Sequence, residues 1–166
     1  MKKIVVILAG ILMPVLLFAQ TDSLQQPYVK NPTFPPVRLL MTDSTIHSIK
    51  EDIPNKRPIL LMVFSPACEH CKHETEDLVK NIDKFKKITI VMATMLPWNE
   101  MMAFRNFYGL ELYDNIYMGK DVDFFLPPFY NIKNLPFLAF YDKKGKLINV
   151  FSGSLPLDKV LEEFEK

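Results

Sequence analysis

Composition and charge limit the kinds of protein this chain can encode. Its 166 residues include 20 Lys and Arg against 19 Asp and Glu, a formal net charge of +1, and 49% of them are hydrophobic. This balance is typical of a globular protein, and it gives no reason to expect nucleic acid or an anionic membrane as a partner.

The first residues have the order of a secretory signal peptide. Lys2 and Lys3 give a short positive region, residues 4–18 are uncharged and apolar, and Ala19 offers a small residue at a cleavage point. We therefore predict a signal peptide over residues 1–19 and a periplasmic or otherwise extracytoplasmic protein, in a compartment where disulfides persist. An uncleaved anchor is the alternative, although the apolar run is shorter than the roughly 20 residues of a spanning helix.

The segment over residues 20–36 contains several Pro and Gln residues and no periodic apolar pattern, so it is predicted to be a linker to one domain over residues 37–166. Within that domain, strands are predicted over residues 37–41, 45–49, 59–64, 88–93, 113–118, 137–141 and 146–151. Helices are predicted over residues 71–82, 99–108 and 157–164, with a short helix over 122–130 broken by Pro127 and Pro128.

The predicted strands over residues 59–64 and 88–93 are continuous apolar runs, as expected of strands buried on both faces of a sheet. The helix between them makes a βαβ unit with parallel strands and a right-handed crossover. Later, residues 137–141 and 146–151 form a predicted antiparallel hairpin with Gly145 at its turn. The domain is therefore predicted to be α/β, in the order βαβ and then ββα.

Cys68 and Cys71 are the only cysteines of the chain, and they stand between the first apolar strand and the helix that follows it. A disulfide between them would close a ring too small to stabilise a fold much, because loop-closure stabilisation grows with loop length. The two cysteines are therefore predicted to be redox-active and to exchange disulfides. A structural disulfide or a pair of inert thiols is the alternative.

The order of these elements, with the two cysteines opening the first helix and Pro136 preceding a core strand, resembles the thioredoxin fold over about residues 37–166. Periplasmic TlpA/ResA-like thiol-disulfide oxidoreductases carry C-E-x-C followed by x-x-E, and Glu69 and Glu74 match the two acidic positions of that run. The resemblance implies an α/β thioredoxin-like fold. It would have a central mixed β-sheet flanked by helices, an N-terminal β-hairpin and a short insert before a cis-Pro loop.

The chain departs from the pattern of many thioredoxins at two positions. Ala67 stands where they carry a tryptophan just before the first cysteine, and Met62 stands where cytoplasmic thioredoxins bury an aspartate. Both departures bear on the efficiency and direction of electron flow. Neither removes the attacking thiol.

Thiol–disulfide exchange needs an accessible thiolate and a second thiol that resolves the mixed disulfide. Unpaired N–H groups and the macrodipole at a helix start favour an anion, so Cys68 is predicted to be the nucleophile. Cys71, on the same helical face, is predicted to be the resolving thiol. His70 favours the thiolate, whereas Glu69 and Glu74 oppose it. The resemblance implies that Glu74 accepts the proton of the resolving thiol, and a solvated helix glutamate is the alternative.

The proline at the start of the third core strand has a predicted role in binding substrate. The resemblance implies a cis peptide bond between Leu135 and Pro136, facing the cysteines. The backbone of Leu135 would then be free to pair with an extended substrate segment, a form of strand addition. An ordinary trans proline at the entry to a strand is the alternative.

A metal site is the sharpest rival interpretation of the cysteine motif. The thiolates of Cys68 and Cys71 with the imidazoles of His70 and His73 would suit zinc or copper. On a helix, however, at about 100° per residue, the two histidines point away from the face that the cysteines share. No metal site is therefore assigned. Haem attachment is excluded because Lys72 stands where that motif needs histidine.

These observations together predict a secreted thiol-disulfide oxidoreductase that needs no cofactor. Its predicted partners are the thiols and disulfides of extracytoplasmic proteins and a redox partner protein at the membrane, and nucleic acid is not expected. The protein is predicted to be a monomer. The alternative is a thioredoxin-fold binding module whose Cys/His cluster holds zinc, copper or a partner without redox turnover.

Overall fold

A mixed β-sheet organises the residues that our computed structural model describes, 25–52 and 56–165. Within these residues the sheet has seven strands: Arg38–Met41 (β1), Ile46–Ser48 (β2), Ile59–Val63 (β3), Thr89–Thr94 (β4), Ile116–Asp121 (β5), Phe137–Tyr141 (β6) and Leu147–Ser152 (β7). Their spatial order is β2-β1-β5-β4-β3-β6-β7. The central strands β3, β4 and β5 are parallel to one another, and the outer strands pair antiparallel.

Helices and short 3₁₀ turns connect these strands. The helices are Pro27–Lys30 (α1), Ile49–Asp52 (α2), Glu69–Lys80 (α3), Trp98–Tyr108 (α4), Leu126–Tyr130 (α5) and Leu157–Glu162 (α6). The 3₁₀ turns are Ile82–Phe85, Leu110–Leu112 and Glu163–Glu165. The predicted α/β class, with a central mixed sheet flanked by helices, is confirmed. None of the helices described in residues 25–52 and 56–165 is long and apolar enough to cross a membrane.

Burial on both faces of the sheet explains the apolar runs of the central strands. Leu60 and Met62 of β3 belong to one buried hydrophobic cluster, and Leu61 and Val63 belong to another on the opposite face. Side chains alternate between the two faces along a strand, so both sets must be apolar. Every residue of β4 is buried as well. The strand–helix–strand unit predicted around the cysteines therefore forms as β3, α3 and β4, with β3 and β4 parallel.

Two predicted boundaries differ from the structure for identifiable reasons. The strand predicted over 113–118 begins at Ile116, because its first residues form a turn in which the Ile116 N–H donates to the Tyr113 carbonyl at 3.2 Å. The buried side chain of Asn115 holds this turn in place by donating to the carbonyls of Phe85 and Ile88, both at 3.0 Å. The helix predicted over 122–130 begins only at Leu126, whose backbone N–H donates to the Asp121 carboxylate at 2.8 Å.

The prolines do not break the short helix α5. Pro127 and Pro128 lie in its first turn, where their missing N–H groups have no partner within the helix to lose. The turn predicted at Gly145 is present, with a positive φ of 74° between β6 and β7, and Gly109 ends α4 in the left-handed conformation.

The described part of the predicted linker packs against the domain. Phe34 is buried and its ring lies 5.0 Å from that of Tyr141, while the ring of Tyr28 in α1 lies 5.6 Å from that of Tyr130. Thr33 forms an isolated antiparallel bridge with Lys146. Residues 25–36 are therefore packed against the domain. The predicted signal peptide over 1–19 lies outside the described residues, and the limits of linker and domain stay predictions.

Substitution of Gly119 tests the close approach of β1 to β5. A Cβ atom at this position would lie 2.7 Å from the Cβ of Leu39 and 3.1 Å from the carbonyl oxygen of Leu40. We expect Gly119→Ala to destabilise the fold by about 1–3 kcal/mol, because the strands must move apart to admit the methyl group. Urea denaturation measures this. Lys120→Ala, at the next position of β5, is the control, and equal stability of the two variants would contradict the prediction.

Candidate active site

The two cysteines lie where the carboxyl end of β3 turns into α3. Cys68 has extended backbone dihedrals and is the N-cap of α3, and its sulfur accepts a hydrogen bond from the backbone N–H of Cys71 at 3.3 Å. Ser65 forms the turn that leads there. Its hydroxyl accepts from the N–H of Ala67 at 3.2 Å, and its carbonyl accepts from the N–H of Cys68 at 3.0 Å. The sulfur of Cys68 thus occupies the place where an anion is favoured at a helix start.

The two sulfurs differ in their access to solvent. Cys68 is half-buried, whereas Cys71 is 0% exposed and lies in the same apolar cluster as Met62. Burial raises the pKa of the Cys71 thiol well above its usual range. A hydrogen bond to the Cys68 sulfur and the charge of Glu74 raise that pKa further, while a backbone hydrogen bond at Ser65 acts in the opposite direction. Cys71 is therefore a protonated thiol buried away from solvent, and the accessible sulfur of Cys68 lies between it and the surface.

The backbone of Leu135 faces the accessible sulfur. The thiol of Cys68 donates to the Leu135 carbonyl with a sulfur–oxygen distance of 3.5 Å. The peptide bond between Leu135 and Pro136 is cis, and Pro136 is buried. An open groove of about 700 Å³ adjoins this contact; we call it the Leu135 groove, and Cys68, His70, Lys133, Leu135, Gly153 and Ser154 contribute to its walls. Its walls are partly polar, as suits the backbone of an extended peptide.

Glu74 is a buried carboxylate one turn beyond Cys71 on α3. It is 9% exposed, and its Oε2 accepts a hydrogen bond from the backbone N–H of Leu155 at 3.2 Å. Burial raises the pKa of Glu74 to about 7, although the Leu155 hydrogen bond acts to lower it. The charge of Asp77 adds to the rise. The alternative of a solvated helix glutamate is wrong for the described structure, because the Leu155 backbone covers this side chain.

The loop that covers Glu74 was missed by reasoning from the sequence. Ser154 and Leu155 follow β7 and reach α3, where the Ser154 hydroxyl donates to the carbonyl of His70 at 3.5 Å. These residues stand more than 80 positions from the cysteines. Nothing in their local pattern marks them. Ser154 and Leu155 reach α3 only through the topology of the fold, because β7 lies at the edge of the sheet and the chain after it returns toward α3.

The charged neighbours of the cysteines lie on the exposed side of α3. Glu69 accepts a hydrogen bond from the ammonium group of Lys72 at 2.6 Å, and this contact lowers the pKa of Glu69. His70 is exposed on the wall of the Leu135 groove, and the Nδ1 of His73 lies 4.0 Å from the Glu76 carboxylate. Among residues 25–52 and 56–165, no three His, Cys, Asp or Glu side chains converge as metal ligands would. Residues 69–80 form a helix, and the helix distributes the Cys, His and Glu side chains around its axis, so they do not converge on one point.

The sequence comparison decides the family. The thioredoxin-like domain family matches residues 47–166, which is most of the chain. The chain belongs to the thioredoxin-like family. The predicted resemblance to this superfamily is therefore confirmed, and so is the thioredoxin-like fold. Among curated proteins, none matches the sequence.

Solved structures of other proteins share this architecture. A secreted disulfide oxidoreductase of Mycobacterium tuberculosis, homologous to E. coli DsbE, is similar with a TM-score of 0.63 and 17% identity, covering 77% of this chain and 93% of that one. DsbF of M. tuberculosis has a TM-score of 0.63 and 20% identity, with 79% and 96% covered. StoA from Bacillus subtilis has a TM-score of 0.59 and 16% identity, with 78% and 98% covered. At these identities the likeness shows the fold.

Replacing Glu74 tests the effect of its burial on stability. In the unfolded chain this carboxyl has its ordinary pKa near 4.5, and in the folded protein its pKa is about 7. Between these values the folded state holds more protons than the unfolded state, so the stability of the wild type falls as pH rises through this window. Glu74→Gln cannot ionise and keeps an oxygen for the Leu155 N–H. We expect its melting temperature to exceed that of the wild type by several degrees at about pH 8 and to approach it at about pH 4.

Thermal denaturation over this pH range measures the difference, and Glu76→Gln, on the same helix but more exposed, is the control. The control should follow the wild type at every pH. A Glu74→Gln curve parallel to the wild type would show that this carboxyl titrates normally.

Proposed function

We propose that this protein is an extracytoplasmic thiol-disulfide oxidoreductase that exchanges disulfides with protein thiols through Cys68 and Cys71. One observation carries the proposal. An accessible sulfur caps the start of α3, and a second, fully buried sulfur stands behind it within hydrogen-bonding distance. Thiol–disulfide exchange needs this difference in exposure, since one sulfur must attack the substrate disulfide and the other must then resolve the mixed disulfide.

The reaction proceeds in two displacements when a substrate disulfide is reduced. The Cys68 thiolate attacks one substrate sulfur, so a bond between Cys68 and the substrate forms as the substrate S–S bond breaks, and the departing thiolate takes a proton from solvent. Cys71 then loses its proton and attacks Cys68. The second substrate sulfur leaves as a thiol, and two electrons have passed from the protein to the substrate. The reverse sequence oxidises a substrate dithiol.

Glu74 is assigned as the proton acceptor for Cys71. The resolving thiol is protonated because burial raises its pKa, so its attack requires a base in the same dry interior. Glu74 is the buried carboxylate of α3, and its charge interacts with Cys71. A carboxylate with a pKa of about 7 holds a proton more strongly than an ordinary one and is a better base at neutral pH.

The Leu135 carbonyl and the groove beside it are assigned to substrate binding. The thiol of Cys68 already contacts this carbonyl, so an extended peptide whose cysteine reaches Cys68 would lie along the same backbone. Main-chain pairing of this kind tolerates many side chains. It suits an enzyme whose substrates are protein thiols and disulfides, and a redox partner protein at the membrane would restore the starting oxidation state after each turnover.

The proposed compartment is the periplasm or another extracytoplasmic space. The signal-peptide pattern of residues 1–19 supports it. A similar fold occurs in a secreted disulfide oxidoreductase of Mycobacterium tuberculosis. Protein disulfides persist in such compartments and supply the substrates that this chemistry needs.

Separate replacement of the two cysteines tests the assignment of their roles. Cys68→Ser removes the nucleophile, so reduction of a model disulfide should fall to the uncatalysed rate. Cys71→Ser keeps the nucleophile but cannot resolve, so mixed disulfides with substrates should accumulate and be released by a reductant. Non-reducing electrophoresis and mass spectrometry detect these adducts. The double variant is the control for adducts through other groups. A Cys71→Ser variant that forms no adducts, with a folded circular dichroism spectrum, would refute the exchange chemistry.

The role of Glu74 predicts a pH-dependent loss of the resolving step. We expect Glu74→Gln to slow resolution by about 10²-fold, in the range typical of a lost general base. Below about pH 7 the wild-type carboxyl is itself protonated, so the ratio of the wild-type rate to the variant rate should grow as pH rises through about 7. Rapid-quench measurement of mixed-disulfide decay gives both rates. Glu162→Gln, at an exposed glutamate of α6, should track the wild type, and a ratio independent of pH would rule out proton acceptance by Glu74.

A further inference from the structure

We propose that a second groove beside the cysteines binds an aromatic side chain of the substrate polypeptide, next to the cysteine that Cys68 attacks. This inference rests on the proposed function and concerns which substrates that function favours. The groove, here called the α3–α4 groove, has a volume of about 600 Å³. Its apolar walls are Pro66, Ala67, Ala103, Phe104, Phe107 and Tyr108.

The aromatic wall of this groove is held in place before any ligand arrives. Phe104 is buried, and its ring lies 4.9 Å from that of Phe64 in the core. The ring of Tyr108 lies 4.6 Å from Phe104 and meets the ring of Phe107 edge to face at 4.9 Å. These contacts connect the groove to the core through one chain of rings. A preformed apolar surface of this kind binds an aromatic side chain without having to be ordered first.

Phe107 stands out because its side chain remains in solvent. It is 80% exposed, the highest exposure of any large hydrophobic residue described in 25–52 and 56–165. Single exposed apolar residues are common on protein surfaces, but this one borders a concave apolar site beside a reactive cysteine. Its packing on Tyr108 holds it at the edge of the groove, where it would cover an inserted ring.

The position of the groove identifies what kind of molecule enters it. Ala67 lines the α3–α4 groove, and the next residue, Cys68, lines the Leu135 groove. Two consecutive residues therefore line the two grooves. A polypeptide whose cysteine is bonded to Cys68, and whose backbone lies along Leu135, can place a neighbouring side chain on Ala67. The methyl group of Ala67 leaves this space open, whereas a larger residue would fill it.

The charges at the rim favour a basic neighbour for the inserted side chain. Glu76 and Glu100 contribute to the rim, and its one lysine, Lys72, is engaged by Glu69 at 2.6 Å. Glu76 lies 4.0 Å from both His73 and Lys80, and ion pairs at an exposed surface contribute little at this distance. The rim therefore carries more negative than positive charge. The occupant we assign is an aromatic residue accompanied by Lys or Arg in a substrate polypeptide.

The experiment compares short peptides, each carrying one cysteine and supplied as a symmetrical disulfide dimer. Pre-reduced wild-type protein reduces one dimer to two peptide thiols as its own cysteine pair is oxidised, so atoms and electrons balance. The peptides carry Phe-Lys, Ser-Lys or Phe-Glu beside the cysteine. We expect the Phe-Lys peptide to react about 10–100-fold faster than the Ser-Lys peptide, as for one buried aromatic contact. The Phe-Glu peptide should be slower than the Phe-Lys peptide.

Two variants and one control locate the effect in the groove. Phe107→Ser removes the exposed wall, and Ala67→Trp fills the groove, so each should bring the Phe-Lys to Ser-Lys rate ratio close to one. Phe124→Ser is the matched control, because Phe124 is an exposed phenylalanine, 60% accessible, that lines neither groove. The control should keep the wild-type ratio. Because the readout is a ratio of two substrates for each variant, it is insensitive to a general change in cysteine reactivity.

Hydroxyethyl disulfide separates failure of this inference from failure of the proposed function, since it is too small to use the groove. If the wild type does not reduce it, the exchange chemistry itself is wrong. If the wild type reduces it but reacts equally with the Phe-Lys and Ser-Lys peptides, the α3–α4 groove is not a substrate site. Loss of the ratio in Phe124→Ser as well would overturn the assignment to this groove, and equal rates for Phe-Lys and Phe-Glu would overturn the choice of occupant.

Discussion

The hydrogen bond from the Cys71 N–H to the Cys68 sulfur is the contact on which the candidate site depends. It caps α3 and, in the same interaction, holds the reactive sulfur at the positive end of that helix. The side chains preferred for this role are those of Ser, Thr, Asp and Asn, which cap with an oxygen. Here the capping atom is also the proposed nucleophile, so the start of the helix and the chemistry cannot be separated. The buried strand β3 supplies the rigid support, because both of its faces lie in apolar clusters.

The features of the fold that depend on neighbours in the chain could be predicted from the sequence. The apolar run of β3, the cysteines after it and the polar helix α3 are contiguous, and the glycines at 109 and 145 mark turns through their own backbone preference. Features that depend on distant contacts could not be placed in this way. The turn before β5 is held by the Asn115 side chain, which bonds to the distant carbonyls of Phe85 and Ile88, and α5 begins where Asp121 supplies an acceptor.

In the candidate site, too, the features set by neighbouring residues were predictable and those set by distant contacts were not. Reasoning from the sequence placed Cys68 and Cys71 at the start of one helix, and the resemblance to a known family implied a role for Glu74 one turn further on. It left the environment of Glu74 open, since the Leu155 backbone that covers this side chain arrives from beyond β7. The α3–α4 groove was equally inaccessible, because its walls come from two helices that are separate in the sequence. Only the packed helices reveal that Phe104 faces the core while Phe107 faces solvent.

The complete burial of Cys71 has a consequence for the kinetics of the proposed reaction. In the structure, with both thiols free, Cys68 is half-buried and Cys71 has no exposed surface. A thiol or disulfide that approaches from solvent would therefore bond to the Cys68 sulfur. The substrate and the proposed electron donor would compete for that one atom, so each would depart before the next one reacts. The proposed enzyme would then follow a ping-pong scheme, in which the supply of either partner limits the rate in turn.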